Sequence, residues 1–116
     1  MIMAQVLADA YRCSPAINDE AALTSACKAA AQAVGATVMG EASARYVPHG
    51  LTVAVFLAES HIVLTTWPEH DLMLIDLMLC NPEMSPEAAI DVIVSRLCPD
   101  GEVVTHRIHR KIAAAP

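Results

Sequence analysis

The sequence predicts an α+β fold: a two-layer α/β sandwich of element order β-α-β-β-β-α-β, a mostly antiparallel sheet with its helices on one face. Three observations lead there. Apolar runs of strand length recur between turn residues, two longer segments repeat their apolar residues at three- and four-residue steps, and both of those segments open on a capping side chain. With 116 residues, a single domain over 1–116 is the expectation, and two would each be marginal. Hydrophobic residues make up 55 % of the chain. Although 21 of them are alanines, the larger apolar side chains still suffice for one core.

Met3 to Tyr11 reads as the first strand. Ser14-Pro15 and Asn18-Asp19 end it, and Asn18 or Asp19 can cap a helix by accepting its first free amides. Ala22, Leu23, Ala26, Cys27, Ala30, Ala33 and Val34 then mark an amphipathic helix closed by Gly35, its alanine face small enough to lie close against a sheet. Thr37 to Tyr46 is a strand and Pro48-His49-Gly50 a turn. Leu51 to Ala58 and His61 to Thr66 both have a buried-strand pattern, and no Gly or Pro separates them. The Glu59-Ser60 junction must therefore be a sharp corner or bulge made without the usual turn residues, a place for strain. Pro68 to Asp71 is a loop and Leu72 to Leu79 a strand. Ser85-Pro86-Glu87 starts the second helix: serine at the cap, proline at the first position, a carboxylate near the positive end. That helix runs to about Leu97 and stops at Pro99-Asp100-Gly101. Glu102 to His109 is the closing strand, and the alanine-rich end beyond it is expected to be loose.

Composition excludes several function classes. A net charge of −6 and 3 % aromatic residues argue against nucleic acid, which needs a positive surface and stacking rings. The basic residues Arg107, Arg110 and Lys111 gather late, beside His106 and His109, and read as a solvated strand end. Leu72 to Cys80 is too short to span a membrane and is interrupted by Asp76. Met1 to Tyr11 carries Asp9 and no basic region, so no signal peptide is expected, and the cytoplasm is the expected compartment. Four cysteines (Cys13, Cys27, Cys80, Cys98) without a CxxC then read as reduced thiols. His106 and His109 have H-x-x-H spacing, but on a strand they face opposite ways, so no metal site is expected. The sheet face without helices carries Ile, Leu, Val and Met, and a homodimer packed sheet against sheet would cover it.

The segment Ala58-Glu59-Ser60-His61-Ile62-Val63-Leu64-Thr65-Thr66-Trp67-Pro68-Glu69 carries the chemistry. It resembles the self-processing core of the small prokaryotic S-adenosylmethionine decarboxylases. Upstream, Arg45-Tyr46-Val47-Pro48-His49-Gly50-Leu51-Thr52 looks like that family's H-R-F-x-P-x-G-V-S; downstream, Asp76-Leu77-Met78-Leu79-Cys80 is similar to its D-x-x-T-C, with the cysteine twenty residues after the serine. The similarity runs in element order from Gln5 to Arg110.

The resemblance implies a pyruvoyl-dependent enzyme made as a self-cleaving proenzyme. Ser60 Oγ would attack the Glu59 carbonyl, and elimination would release residues 1–59 from residues 60–116. The pyruvoyl group left at residue 60, the only cofactor implied, would form a Schiff base with the substrate amine and accept the electron pair as carbon dioxide leaves. By the same resemblance Cys80 is the proton donor, where composition alone would read a buried strand cysteine. Glu69 matches the acid that holds the ribose hydroxyls, where an exposed loop glutamate is the plainer reading. Tyr46 stands at the ring that stacks on adenine, and Trp67 sits beside it as a ligand contact or a structural plug. The implied product is the aminopropyl donor for spermidine.

The chain departs from the pattern at several positions. Thr65 stands where the family has the histidine that acts as base in self-cleavage, and a hydroxyl cannot take a Cα proton as imidazole can. Thr52 replaces a serine that assists processing and keeps the hydroxyl. Ala44, His70-Asp71-Leu72 and Leu79 also differ. His61 belongs to the family pattern and, as a strand neighbour of Ser60, points to the other face, which leaves His49 or His70 as nearby imidazoles. Two other readings stay open: a pyruvoyl decarboxylase of a basic amino acid (ornithine or arginine), or an uncleaved, non-catalytic homologue that binds ligand or regulates a partner.

Overall fold

The structure, a computed structural model, describes residues 2–113. It builds β1 (Ile2–Tyr11), a 3-10 turn (Pro15–Asn18), α1 (Glu20–Val34), β2 (Val38–Arg45), β3 (Leu51–Leu57) and β4 (Ser60–Trp67). A second 3-10 turn (Pro68–His70), β5 (Leu72–Leu79), α2 (Pro86–Leu97) and β6 (Glu102–Lys111) follow. The α+β sandwich is as the sequence predicts, with one correction. Four strands, not three, lie between the helices: each of the four apolar segments read between them, including the two on either side of Glu59, is a strand of its own, so the order β-α-β-β-β-α-β is one strand short. Ala114 to Pro116, most of the end expected to be loose, lie outside the described residues.

Capping follows from local side chains. Asp19 Oδ1 accepts from the amides of Ala21 and Ala22, and Gly35, at φ 78°, turns the chain out of α1 in the left-handed region. At α2 the Ser85 hydroxyl accepts from Ala88 N at 3.2 Å.

All neighbouring strands are antiparallel, in the order β2-β3-β4-β5-β1-β6. Alternate residues of β3, β4 and β5 are buried under the helices: Leu51, Val53 and Val55, then Ile62 and Leu64, then Met73, Ile75 and Leu77. Each such side chain contributes about 1.5–3 kcal/mol by leaving water, so this layer is what holds the sheet to the helices. Helix α1 meets it with Leu23, Ala26, Cys27, Ala30 and Ala31, all fully buried. Small side chains there let the helix axis lie close to the strands.

The opposite face has no helix. There Thr52, Ala54 and Phe56 of β3 pair with Thr65, Val63 and His61 of β4, and these with Leu74, Asp76 and Met78 of β5. Gln5, Leu7 and Asp9 of β1 and Val104, His106 and Ile108 of β6 continue the face. Phe56 and Ile108 are 47 % and 43 % exposed, so large apolar groups stand open to solvent on this side.

Three members of the late basic cluster, His106, Arg107 and His109, are engaged in pairs. Arg107 bonds Glu87, whose carboxyl is held below the usual carboxylate range by its own backbone amide and by that guanidinium. His106 reaches Asp9 at 3.3 Å on the open face, whereas His109 turns the other way and accepts from Arg107. No helix among the described residues is long and apolar enough to cross a membrane.

Candidate active site

Two groups of polar side chains stand at opposite ends of the β3–β4 hairpin. The first is the corner itself. Leu57 pairs with Ser60, so Ala58 and Glu59 alone make the turn, and Glu59 adopts φ 61°. A left-handed backbone costs a residue with a Cβ about 1–2 kcal/mol, so the expected strain falls on the residue whose carbonyl Ser60 would attack. Ala58 N, donating to Thr37 O at 3.1 Å, ties the turn to the start of β2.

The β4–β5 register places Cys80 at this corner. His61 faces Met78, so Ser60 lies opposite Leu79 and Cys80 opposite Glu59. A twenty-residue spacing is what that register requires. The Cys80 amide donates to Ser60 Oγ at 3.2 Å, which fixes the hydroxyl. Cys80 Sγ stands 3.9 Å from both Ala58 O and a Glu59 carboxylate oxygen. The other thiols are buried. Burial, then the neighbouring Cys98, pushes Cys13 up to about 12, and burial alone pushes Cys27 up to about 12. Both stay protonated and unreactive at neutral pH.

The second group surrounds a cavity of about 290 Å³ beyond the other end of the strands. Tyr46, His49, Thr65, Trp67 and Glu69 line it. Cross-strand partners Thr52 and Thr65 join through their hydroxyls at 3.3 Å, and Tyr46 Oη meets Thr52 Oγ1 at 2.9 Å. Trp67 is 37 % exposed and forms part of the wall. His49 Nε2 lies 2.7 Å from Glu69 Oε2. Partial desolvation raises the Glu69 carboxyl, but its own backbone amide and the His49 imidazole together hold it below the usual range. It is an anion at neutral pH, able to accept two hydroxyl protons.

The loop that carries His49 is pinned on both sides. Tyr46 N donates to Gly50 O at 2.9 Å, and Gly50 N to Asn18 Oδ1 at 3.2 Å. Gly50 has φ 102°, and a Cβ there would stand 3.0 Å from Thr66 O, so the Pro48-His49-Gly50 turn demands glycine. Buried Thr66 closes the base, its hydroxyl accepting from Leu51 N at 3.1 Å.

The structure thus brings Glu59, Ser60 and Cys80 together, and Tyr46, Thr52, Thr65, Trp67 and Glu69 together, but it does not join the two sets. Ser60 and Thr65 are five residues apart on β4, about 16 Å at 3.3 Å per residue. Both sets reach the open sheet face, Thr52 and Thr65 by strand alternation and Cys80 in step with Asp76 and Met78. Residue patterns alone missed three contacts. They are the His49–Glu69 pair, the Asn18 anchor, and Asp76, which accepts from Gln5 Nε2 at 3.0 Å and meets His61 at 3.4 Å. The residues had signals of their own (Asp76 in the Asp76–Cys80 motif, Glu69 at the ribose position, His49 as a nearby imidazole, Asn18 as a capping candidate), but not their pairing. Among the described residues, no group of three or more His, Cys, Asp or Glu side chains could hold a metal ion.

Comparison with known proteins places this geometry. Residues 4–111 match the family model described as S-adenosylmethionine decarboxylase. An S-adenosylmethionine decarboxylase proenzyme of Pyrobaculum neutrophilum is 44 % identical over 91 residues, 77 % of this chain and 73 % of that one. A proenzyme of the same name from Prochlorococcus marinus is 34 % identical over 98 residues, covering 84 % of this chain and 78 % of its own. The crystal structure of the adenosylmethionine decarboxylase from Aquifex aeolicus superposes with a TM-score of 0.85 at 27 % identity, over 99 % of this chain and 95 % of that chain.

Proposed function

Because the chain belongs to the S-adenosylmethionine decarboxylase family, we propose that it is the proenzyme of a pyruvoyl-dependent S-adenosylmethionine decarboxylase that cuts itself between Glu59 and Ser60. The observation that carries the reading is the corner: a strained Glu59 at φ 61° next to a serine hydroxyl held by the Cys80 amide.

Attack of Ser60 Oγ on the Glu59 carbonyl carbon forms an ester, breaks the peptide C–N bond and frees the amine of residue 60. The ester relieves the left-handed turn, which favours the shift. Loss of the residue-60 Cα proton then sends an electron pair into a new Cα=Cβ bond and breaks the Cβ–O bond. Residues 1–59 leave as a carboxylate. Water hydrolyses the enamine that remains, releasing ammonia. The keto group so formed supplies an electrophile for the substrate's α-amine and a sink for the electrons left when carbon dioxide departs.

The remaining roles follow from position. Cys80, beside residue 60, returns a proton to the substrate α-carbon. Glu69 accepts the two ribose hydroxyls, with the Tyr46 and Trp67 rings to meet the adenine. Since these two sets stand apart in one chain, while Cys80 of the first and Thr52 and Thr65 of the second share the uncovered sheet face, the working unit is a homodimer packed through that face. One protomer's corner then meets the other's cavity. The enzyme is cytoplasmic in this reading and supplies the aminopropyl donor for spermidine.

A mass spectrum of the denatured protein should show two fragments, 1–59 and 60–116; a persistent intact chain overturns the reading. Glu69→Gln should raise KM for S-adenosylmethionine by about 10–100-fold with little change in kcat, the worth of a charged hydrogen bond. A comparable KM change with ornithine or arginine as substrate, or no change at all, would count against the ribose role.

A further inference from the structure

Elimination requires a base at the residue-60 Cα, and the hydroxyl at position 65 is a poor one. We propose that the His49 imidazole, held by Glu69, takes that proton during self-cleavage. The inference rests on the self-cleaving homodimer described above, in which the cavity of one protomer meets the corner of the other.

Among the described residues, His49 is the one imidazole that lines the cavity shared by Thr65 and Glu69. The other four histidines are placed elsewhere. His61 is on the open sheet face against Asp76, and His70 ends the second 3-10 turn outside the cavity lining. His106 meets Asp9, and His109 lies on the opposite face of β6 against Arg107. Tyr46, Thr52 and Thr65 form a chain of hydroxyls, each poorly suited to remove a carbon-bound proton at neutral pH.

The geometry suits His49 to the task. Its Nε2–H donates to Glu69 Oε2 at 2.7 Å, which fixes the tautomer and leaves the Nδ1 lone pair as the acceptor. The imidazolium formed when Nδ1 takes the Cα proton then sits against an anion that stabilises it. The pinned Gly50 fixes the backbone beside His49, Glu69 holds the ring, and the side chain is 33 % exposed on the side left open to a second chain. The balance is complete: the proton passes from Cα to Nδ1, the C–H electrons form the Cα=Cβ bond, and the Glu59 carboxylate leaves with the Cβ–O electrons.

The test follows full-length chains by mass spectrometry after denaturation, with and without hydroxylamine, which cleaves an ester but not a peptide. Glutamine in His49→Gln can still donate to Glu69 but takes no proton. Fragment formation should slow about 10²–10⁴-fold in His49→Gln, the usual weight of a general base. Its uncut chain should be split by hydroxylamine after residue 59, because the ester still forms. Thr65→His added to His49→Gln should restore cleavage by returning an imidazole to the same cavity. Wild-type speed in His49→Gln overturns the inference while leaving self-cleavage standing. So does an uncut chain that resists hydroxylamine, or a double variant that stays slow. A wild-type chain that never cuts overturns the self-cleavage reading, and this inference with it.

Discussion

Ser60→Ala yields an intact chain that never acquires a carbonyl reactive towards hydrazine, and decarboxylation is absent. The loss is total rather than partial, because one side chain supplies both the attacking oxygen and the carbons of the keto group. The fold should survive. Ser60 is only part-buried, its hydroxyl receives one amide from Cys80, and that amide can turn to water. Losing such a bond costs about 0.5–1.5 kcal/mol, small against the apolar layer of β3, β4 and β5. Circular dichroism unchanged from wild type, together with a single intact mass, is the expected pair of results. Fragments 1–59 and 60–116 from this variant would show that another group cuts the chain.

Cys80→Ala separates the two reactions. The contact that orders Ser60 runs through the Cys80 backbone amide, which alanine keeps, so cleavage should proceed near the wild-type rate. The thiol itself is lost, and with it the proton for the substrate α-carbon. Carbon dioxide release should fall by about 10²–10⁴-fold, the range for a general acid. Measuring fragment yield and decarboxylation on one preparation checks both halves. Equal loss in the two assays would make Cys80 a structural support of the corner; unchanged decarboxylation would remove it from the chemistry.

Much of this was legible in the residues because the forces are local. Asp19 and Ser85 announce their helices by bonding amides two or three residues away. The missing Gly or Pro between Leu57 and His61 announced a strained corner, and Glu59 carries it at φ 61°. Cys80 was found from its spacing to Ser60, since one antiparallel register converts a sequence interval into a contact. Position in the sheet was not legible. Nothing in Ile2–Tyr11 says that β1 inserts between β5 and β6, because that pairing depends on residues about 70 to 100 positions away. The pairing of His49 was hidden for the same reason: its partner Glu69 lies 20 residues on, in a different loop. The separation of Ser60 from Thr65 was readable from strand rise alone, yet it acquires meaning only once Thr65 and Cys80, the corner's thiol, are seen on the same open face.

Strand order has one more consequence. A cut after residue 59 gives β1, β2 and β3 to one polypeptide and β4, β5 and β6 to the other. Across the sheet these alternate as two from the first, two from the second, one from the first and one from the second. Three of the five hydrogen-bonded seams (β3–β4, β5–β1 and β1–β6) therefore stitch one piece to the other. Halves severed there would be interleaved like the fingers of clasped hands, and parting them would mean breaking those three seams.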